Sequence, residues 1–131
     1  MEISQLTVPI ISIIIGEGGS GGAIALACGD RVWALENSIY SILSPEGFAS
    51  ILLKDPSKAQ GVSEIMGITS YDLLEKGVIE KIIKEPAGGA QNDINFVANE
   101  IKSNLINEIK ILQNKTVREL LNERYLRYRD F

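Results

Sequence analysis

The chain has 131 residues, enough for one ordinary domain, and contains no histidine. The missing imidazole excludes a Ser-His-Asp triad, histidine general acid-base catalysis and histidine-based metal sites. Hydrophobic residues make up 45% and charged residues 23%, which is typical of a globular protein rather than of a disordered chain. The net charge of -4 argues against an autonomous binder of nucleic acid or of an anionic membrane.

We expect neither a membrane span nor a signal peptide from this sequence. The longest apolar run, 8–15, is interrupted by Pro9 and Ser12 and is far shorter than the roughly 20 residues of a membrane span. The first five residues lack the basic region of a signal peptide, and Cys28, the single cysteine, cannot form an internal disulfide. We therefore expect a cytoplasmic location, no membrane contact, and a small buried role for Cys28.

The first half of the chain predicts short strands around a glycine-rich segment. In chain order, the pattern predicts a strand buried on both faces over 8–15, a loop over 16–22 and a helix over 23–28. Two further strands, 32–35 and 38–43, flank a turn at Glu36-Asn37.

The second half predicts mainly helices. Ser44 as N-cap, Pro45 at the first helical position and Glu46 in the first turn predict a helix through about residue 53. A capping box at Ser57 predicts a helix over 57–66, and Thr69 predicts the start of a helix over 69–76. A short apolar run predicts a strand over 78–83. Apolar residues at helical spacing predict a long helix over 92–113, and a capping box at Thr116 predicts a last helix over 116–129.

The glycine-rich segment, residues 16–22, has several interpretations. Gly16, Gly18 and Gly21 match the G-x-G-x-x-G pattern of a Rossmann-type NAD(P)-binding domain, with Glu36 twenty residues after Gly16 to bind a ribose. Two observations weaken this interpretation. The following helix has room for only about two turns, and Glu17 would place a carboxylate among the amides meant for pyrophosphate.

A nucleophile elbow is the second interpretation, because Ser20 also satisfies G-x-S-x-G at a strand-to-helix turn. A serine nucleophile needs a base, and Lys54, the nearest lysine, is far away in sequence. We therefore predict that Ser20 is a helix N-cap.

An oxyanion hole is the third interpretation. Consecutive glycines at a helix N-terminus present backbone N–H groups to an oxygen that gains negative charge, and this needs no ionisable side chain. A tight turn with close backbone packing is the structural alternative, although five glycines in seven positions exceed what a turn requires.

Several motifs together resemble one family. They are Val8-Pro9, the segment 16–22, 41–47 with 49–52, 85–90, and the tail 124–129. In this order they closely resemble the carboxyltransferase alpha subunit of bacterial and plastid acetyl-CoA carboxylase. The resemblance implies an α/β, crotonase-like fold of stacked β-β-α units, with residues 1–90 as part of that core and 91–131 as a C-terminal helical extension for packing and assembly.

The resemblance also implies an activity and its residues. Carboxybiotin on a biotin carboxyl carrier protein would donate its carboxyl group to acetyl-CoA, giving malonyl-CoA for fatty acid biosynthesis. Gly21 and Gly22 match the family's oxyanion-hole pair, on the side of the biotin ureido oxygen. Candidate substrate-binding residues are Gly18, Gly19, Ser20, Ser44, Pro45 and Glu46, although a helix start also accounts for the last three. Gln91 departs from the histidine often found at this point in the family.

The family implies further components. Its alpha subunits are considerably longer, so an N-terminal half is expected to be missing, and a zinc-bearing beta subunit completes an alpha2-beta2 assembly. We expect no metal in this chain. Residues 1–66 hold 7 acidic and 3 basic side chains, so contacts to the phosphates of coenzyme A are expected from the missing half or the partner. The chain alone is expected to be catalytically silent, and a purely assembling fragment is the remaining alternative.

Overall fold

A computed structural model describes residues 2–127 and 129. Outside the described residues lie Met1, Tyr128 and the last two residues; Tyr128 belongs to the tail motif. The strands form two parallel sheets. The larger sheet has the order β1-β3-β5 and the smaller one pairs β2 with β4. The strand bounds are β1 Ile11–Ile14, β2 Glu17–Gly19, β3 Arg31–Leu35, β4 Ile39–Ser41 and β5 Lys81–Ile83.

Six α-helices are found in the described part of the chain. They are α1 Ser20–Ala27, α2 Pro45–Leu52, α3 Ala59–Met66, α4 Ser70–Glu75, α5 Ile94–Gln113 and α6 Val117–Arg127, with short 3-10 helices at Ile3–Gln5, Pro56–Lys58 and Ala90–Asn92. None of these helices combines the length and the apolar character needed to cross a bilayer. Nor do the described residues contain a group of three His, Cys, Asp or Glu that could hold a metal ion.

The chain contains two copies of the same strand-strand-helix arrangement. A strand of the large sheet is followed by a strand of the small sheet and then by a helix, first as β1, β2 and α1 and then as β3, β4 and α2. These are the stacked β-β-α units that the family resemblance implies. The prediction of a loop over 16–22 is wrong, because Glu17–Gly19 forms a strand and the helix predicted from 23 begins at Ser20.

The core lies on both faces of the large sheet. Because side chains alternate along a strand, Val32 and Ala34 face a cluster that includes Ala23 of α1, whereas Trp33 and Leu35 face another. The second cluster contains Val97 of α5, so the long C-terminal helix packs directly against the sheet. The strand predicted over 8–15 to be buried on both faces spans only Ile11–Ile14 as β1, where Ile14 is buried and the other three residues are half-buried. The more deeply buried strand of the large sheet is β3.

Local start signals predict the beginning of three helices correctly. Ser44 caps α2 by accepting the amide of Gly47, and capping boxes form at Thr69 and Thr116. The predicted capping box at Ser57 is wrong, because Asp55 accepts both the amide and the hydroxyl of Ser57 and a 3-10 turn precedes α3. Of the helix predicted from 116 to 129, Val117–Arg127 is helical, and Tyr128 lies outside the described residues. Cys28 is half-buried rather than buried.

Helix α6 covers the amino-terminal edge of the large sheet through Arg124. This side chain is buried, with 1% of it exposed, and forms two hydrogen bonds of 2.8 Å with the Asp30 carboxylate. The same guanidinium donates to the carbonyls of Ser4, Leu6 and Val8. Asp30 also accepts the amide of Ile10, so one ion pair joins the last helix, the segment before β1 and the start of β3.

Candidate functional site

The two β-β-α units meet in a cleft of about 540 Å³ at the carboxyl ends of the small sheet. All six residues predicted to bind substrate line this cleft, together with Glu17, Ile39, Ser41, Ile42, Leu43, Gly47 and Ile68; the six are Gly18, Gly19, Ser20, Ser44, Pro45 and Glu46. Sequence reasoning missed the apolar wall. Ile68 belongs to a loop that reaches the cleft only through the tertiary fold, so no local pattern marks it.

The pairing of β2 with β4 brings the two halves of the cleft together. Gly18 lies opposite Tyr40 and Gly19 opposite Ser41 in a parallel register. Parallel strands end at the same edge, so the helices that follow them, α1 and α2, both begin there. Ligands of parallel sheets bind at this edge.

The first turn of α1 is open to solvent. Gly19 is the N-cap, with an extended backbone and no side chain to cap the helix, and Ser20, Gly21 and Gly22 are exposed. The first amides of any helix have no intrahelical acceptor. A Cβ atom built on Gly21 or Gly22 meets none of the described atoms within 4 Å. Neither glycine lines the cleft itself; both follow Ser20, which does.

Ser20 does not have the predicted role of N-cap. It is the first helical residue and adopts a φ of 54°, in the left-handed region that is uncommon for residues other than glycine. Lys54, the nearest lysine in the sequence, does not line the cleft. The structure therefore brings no base from that residue to the Ser20 hydroxyl.

The electrostatics of the cleft are simple. Among the described residues that line it, the ionisable side chains are those of Glu17 and Glu46, both exposed. No basic side chain is among them. The cleft suits a neutral, partly apolar group held by backbone amides better than a polyphosphate, which would meet two carboxylates.

Glu36, the residue proposed to bind a ribose, is fully engaged elsewhere. Its carboxylate accepts from Lys84 at 2.8 Å, from the Tyr71 hydroxyl, and from the Glu85 amide at 3.2 Å. These bonds, above all the one from Lys84, lower the pKa of Glu36 from 4.5 to about 2. A nucleotide ribose would have to displace them, so the Rossmann-type interpretation is not favoured.

This network predicts a pH-dependent stability. A carboxyl group whose pKa is lowered on folding stabilises the protein above its unfolded pKa, and this stabilisation is lost as the pH falls through the folded value. The Glu36 contribution should therefore disappear between about pH 4.5 and pH 2. We expect the urea unfolding midpoint of Glu36→Gln to fall less steeply with decreasing pH than that of the parent protein, over the accessible part of that range.

Glu64→Gln, a matched change on the exposed surface of α3, serves as the control and should keep the pH dependence of the parent protein. If Glu36→Gln and Glu64→Gln lose stability with pH in the same way, Glu36 does not hold the network together.

A second depression, of about 430 Å³, lies at the carboxyl ends of the large sheet beside the 85–91 segment. Gly88 and Gly89 have φ values of 85° and 103° and belong to a turn in which the Gly89 amide donates to the Pro86 carbonyl. Gln91 donates its side-chain amide to the Gly88 carbonyl at 2.6 Å, and Glu85 accepts the Ala90 amide. The departure from histidine at position 91 is thus compatible with an ordered turn.

Comparison with known proteins identifies similar sequences over the whole chain. Residues 1–131 match the family described as acetyl co-enzyme A carboxylase carboxyltransferase-like. The chain is 55% identical over 129 residues to the acetyl-coenzyme A carboxylase carboxyl transferase subunit alpha of Clostridium acetobutylicum, covering 98% of this chain and 47% of that protein. It is 56% identical over 131 residues to the same subunit of Streptococcus pneumoniae strain CGSP14, covering 100% and 50%. The chain spans about half the length of these curated relatives.

Solved structures agree with the predicted fold. A transcarboxylase 12S structure matches with a TM-score of 0.53 and 22% identity, over 77% of this chain and 21% of that one. An enoyl-CoA hydratase from Bacillus halodurans matches with a TM-score of 0.56 and 19% identity, over 95% and 49%. The α/β, crotonase-like fold expected from the sequence is confirmed by these neighbours.

Proposed function

Because the chain belongs to the acetyl-CoA carboxylase carboxyltransferase family, we propose that it provides one half of a carboxyltransferase active site. The reaction moves a carboxyl group from carboxybiotin, attached to a biotin carboxyl carrier protein, to acetyl-CoA and yields malonyl-CoA for fatty acid biosynthesis. One observation supports this most strongly: the exposed first turn of α1, with Gly21 and Gly22, adjoins a cleft without a basic lining residue among those described.

The cleft is compatible with the bicyclic end of biotin. Its walls combine glycine backbone with Ile39, Ile42 and Leu43, which suits a small ring system carrying one polar carbonyl. The amides at the start of α1 would donate to that carbonyl, with the positive end of the helix dipole behind them. Ser44, Pro45 and Glu46 would form the opposite wall, where the start of α2 fixes their positions.

The composition of the chain fits such chemistry. Bound carboxybiotin supplies the carboxyl group and, once that group has left, a ureido nitrogen able to take the acetyl α-proton. The Gly21 and Gly22 amides would stabilise charge on the ureido oxygen, an interaction that grows stronger as the oxygen becomes negative. Positioning and backbone donors then account for the protein's part in catalysis, and the absence of histidine is no obstacle.

Other components complete the proposal. The two carboxylates of the cleft disfavour the phosphates of coenzyme A, so a zinc-bearing beta subunit, or sequence of the alpha subunit beyond these residues, would bind that substrate in an alpha2-beta2 assembly. The beta subunit would supply a second oxyanion hole, for the thioester enolate. We place the assembly in the cytoplasm, and this chain would bind no metal of its own.

The reverse reaction provides a direct test. A subunit that carries this sequence, mixed with a carboxyltransferase beta subunit, free biotin and malonyl-CoA, should release acetyl-CoA. The 131-residue chain alone should not. Acetyl-CoA release that needs no beta subunit, or that is independent of biotin, would contradict the proposal. Saturable binding of NAD by the chain would instead favour the Rossmann-type alternative, and normal activity of variants blocked at Gly21 and Gly22 would favour a purely assembling role.

A further inference from the structure

Tyr40 lies directly beneath the glycine-rich segment. It is the middle residue of β4, 8% exposed, and pairs in register with Gly18 of β2. Its ring belongs to the same core cluster as Ile14 and Ala23. The side chain therefore runs from the small sheet towards α1, under the backbone that precedes Gly21 and Gly22.

The Tyr40 hydroxyl holds α1 from below. It donates a hydrogen bond to the carbonyl oxygen of Ala23, which is fully buried and directly follows Gly22. Burial raises the pKa of Tyr40, so the phenol stays protonated and remains a donor at neutral pH. A carbonyl has two lone pairs and can accept this bond in addition to its helical one.

The ring of Tyr40 also explains one of the glycines. A Cβ atom at Gly18 would lie 2.8 Å from the Tyr40 Cδ2 and 3.4 Å from the Ile14 Cγ2. The distance to Tyr40 is shorter than real Cβ atoms tolerate. At Gly19 the nearest described atom is 3.8 Å away, which is ordinary contact. Gly18 is therefore needed because a side chain there would collide with the Tyr40 ring. This requirement is steric and does not depend on the Gly18 amide being accessible to a ligand.

We infer that Tyr40 is a positioning residue for the oxyanion hole: its ring against Gly18 and its hydroxyl on Ala23 fix the angle between β2 and the first turn of α1, and thereby aim the Gly21 and Gly22 amides. This inference rests on the proposed function. The amides act on charge that develops during the reaction, so a small misorientation lowers the rate of the chemical step more than it weakens substrate binding. Displacements of about 1 Å can cost up to about a hundredfold in rate.

The test compares two tyrosine-to-phenylalanine variants in the assembled carboxyltransferase. Tyr40→Phe removes only the hydroxyl and should lower kcat about tenfold while KM for the biotin substrate stays within about twofold. Tyr71→Phe is the matched control, because its hydroxyl is also hydrogen-bonded, to Glu36, but the residue is exposed and is not among those that line the cleft. It should keep the parent kcat.

Gly18→Ala keeps the inference testable if Tyr40→Phe folds poorly. The added Cβ displaces the tyrosine ring and should give the same signature, a lower kcat at nearly constant KM. A Tyr40→Phe enzyme that melts at a lower temperature but retains the parent kcat would overturn the inference, because Tyr40 would then be merely structural. Failure of the proposed function is distinguishable, since Gly22→Val would then also leave turnover unchanged.

Discussion

Replacing Gly22 with valine should lower turnover of the assembled carboxyltransferase by about 10²- to 10³-fold, the loss typical of one oxyanion-hole donor. A Cβ at this position meets none of the described atoms within 4 Å, so the β-branched side chain projects into open space beside the amide instead of into the core. It would occupy space needed by the ligand oxygen. We expect the protein to fold normally, and Gly22→Ala to be more stable by about 0.5–1 kcal/mol, because glycine is unfavourable inside a helix.

Gly61→Val is a matched control for this experiment. Gly61 is also a helical, exposed glycine with none of the described atoms within 4 Å of a built Cβ, but it lies in α3, whereas Gly22 lies in the first turn of α1 beside Ser20, which lines the cleft. The control should retain the parent turnover. The measurements are steady-state kcat and thermal denaturation of both variants. Near-normal turnover of Gly22→Val would remove the amides of α1 from the mechanism.

Replacing Arg124 with methionine should destabilise the protein by about 3–5 kcal/mol, because it leaves the Asp30 carboxylate buried without its cation. Both side chains are almost inaccessible, with 1% and 3% exposed. The substitution also removes the donor from three backbone carbonyls ahead of β1. Methionine keeps much of the length of the side chain, so the loss reports mainly on charge and hydrogen bonding. Urea denaturation measures it directly.

Lys58→Met gives the comparison for an exposed ion pair. Lys58 lies 3.7 Å from Asp55, with 61% and 40% of the two side chains exposed. Exposed pairs of this kind contribute little to stability because water and salt screen the charges, so the urea midpoint should hardly move. If Arg124→Met were as mild as Lys58→Met, the segment before β1 would be held by something other than this guanidinium.

Local signals in the sequence predict local structure well. Ser44, Thr69 and Thr116 each cap the expected helix because the acceptor and the amide it binds are separated by only three residues. Ser57 fails for an equally local reason, since Asp55 competes for the same amide and hydroxyl. The six candidate substrate-binding residues do meet in one cleft, although their chemical roles stay predictions.

Long-range pairing is what the sequence could not reveal. Residues 17–19 form a strand because they pair with residues 39–41, and glycine has no intrinsic preference that would indicate this. The contact between Gly18 and Tyr40 depends on that register, so a tyrosine in a predicted strand gave no sign that it lies under α1. Only the pairing of the two units makes its position visible.

The Arg124 contacts have a consequence for how the chain is made. The guanidinium binds carbonyls that lie 116 to 120 residues earlier, so the segment before β1 cannot acquire these bonds until α6 has been synthesised. Contacts of such sequence separation close large loops and slow folding. On the ribosome, β1, β3 and β5 are therefore synthesised before the helix whose Arg124 covers the segment ahead of β1.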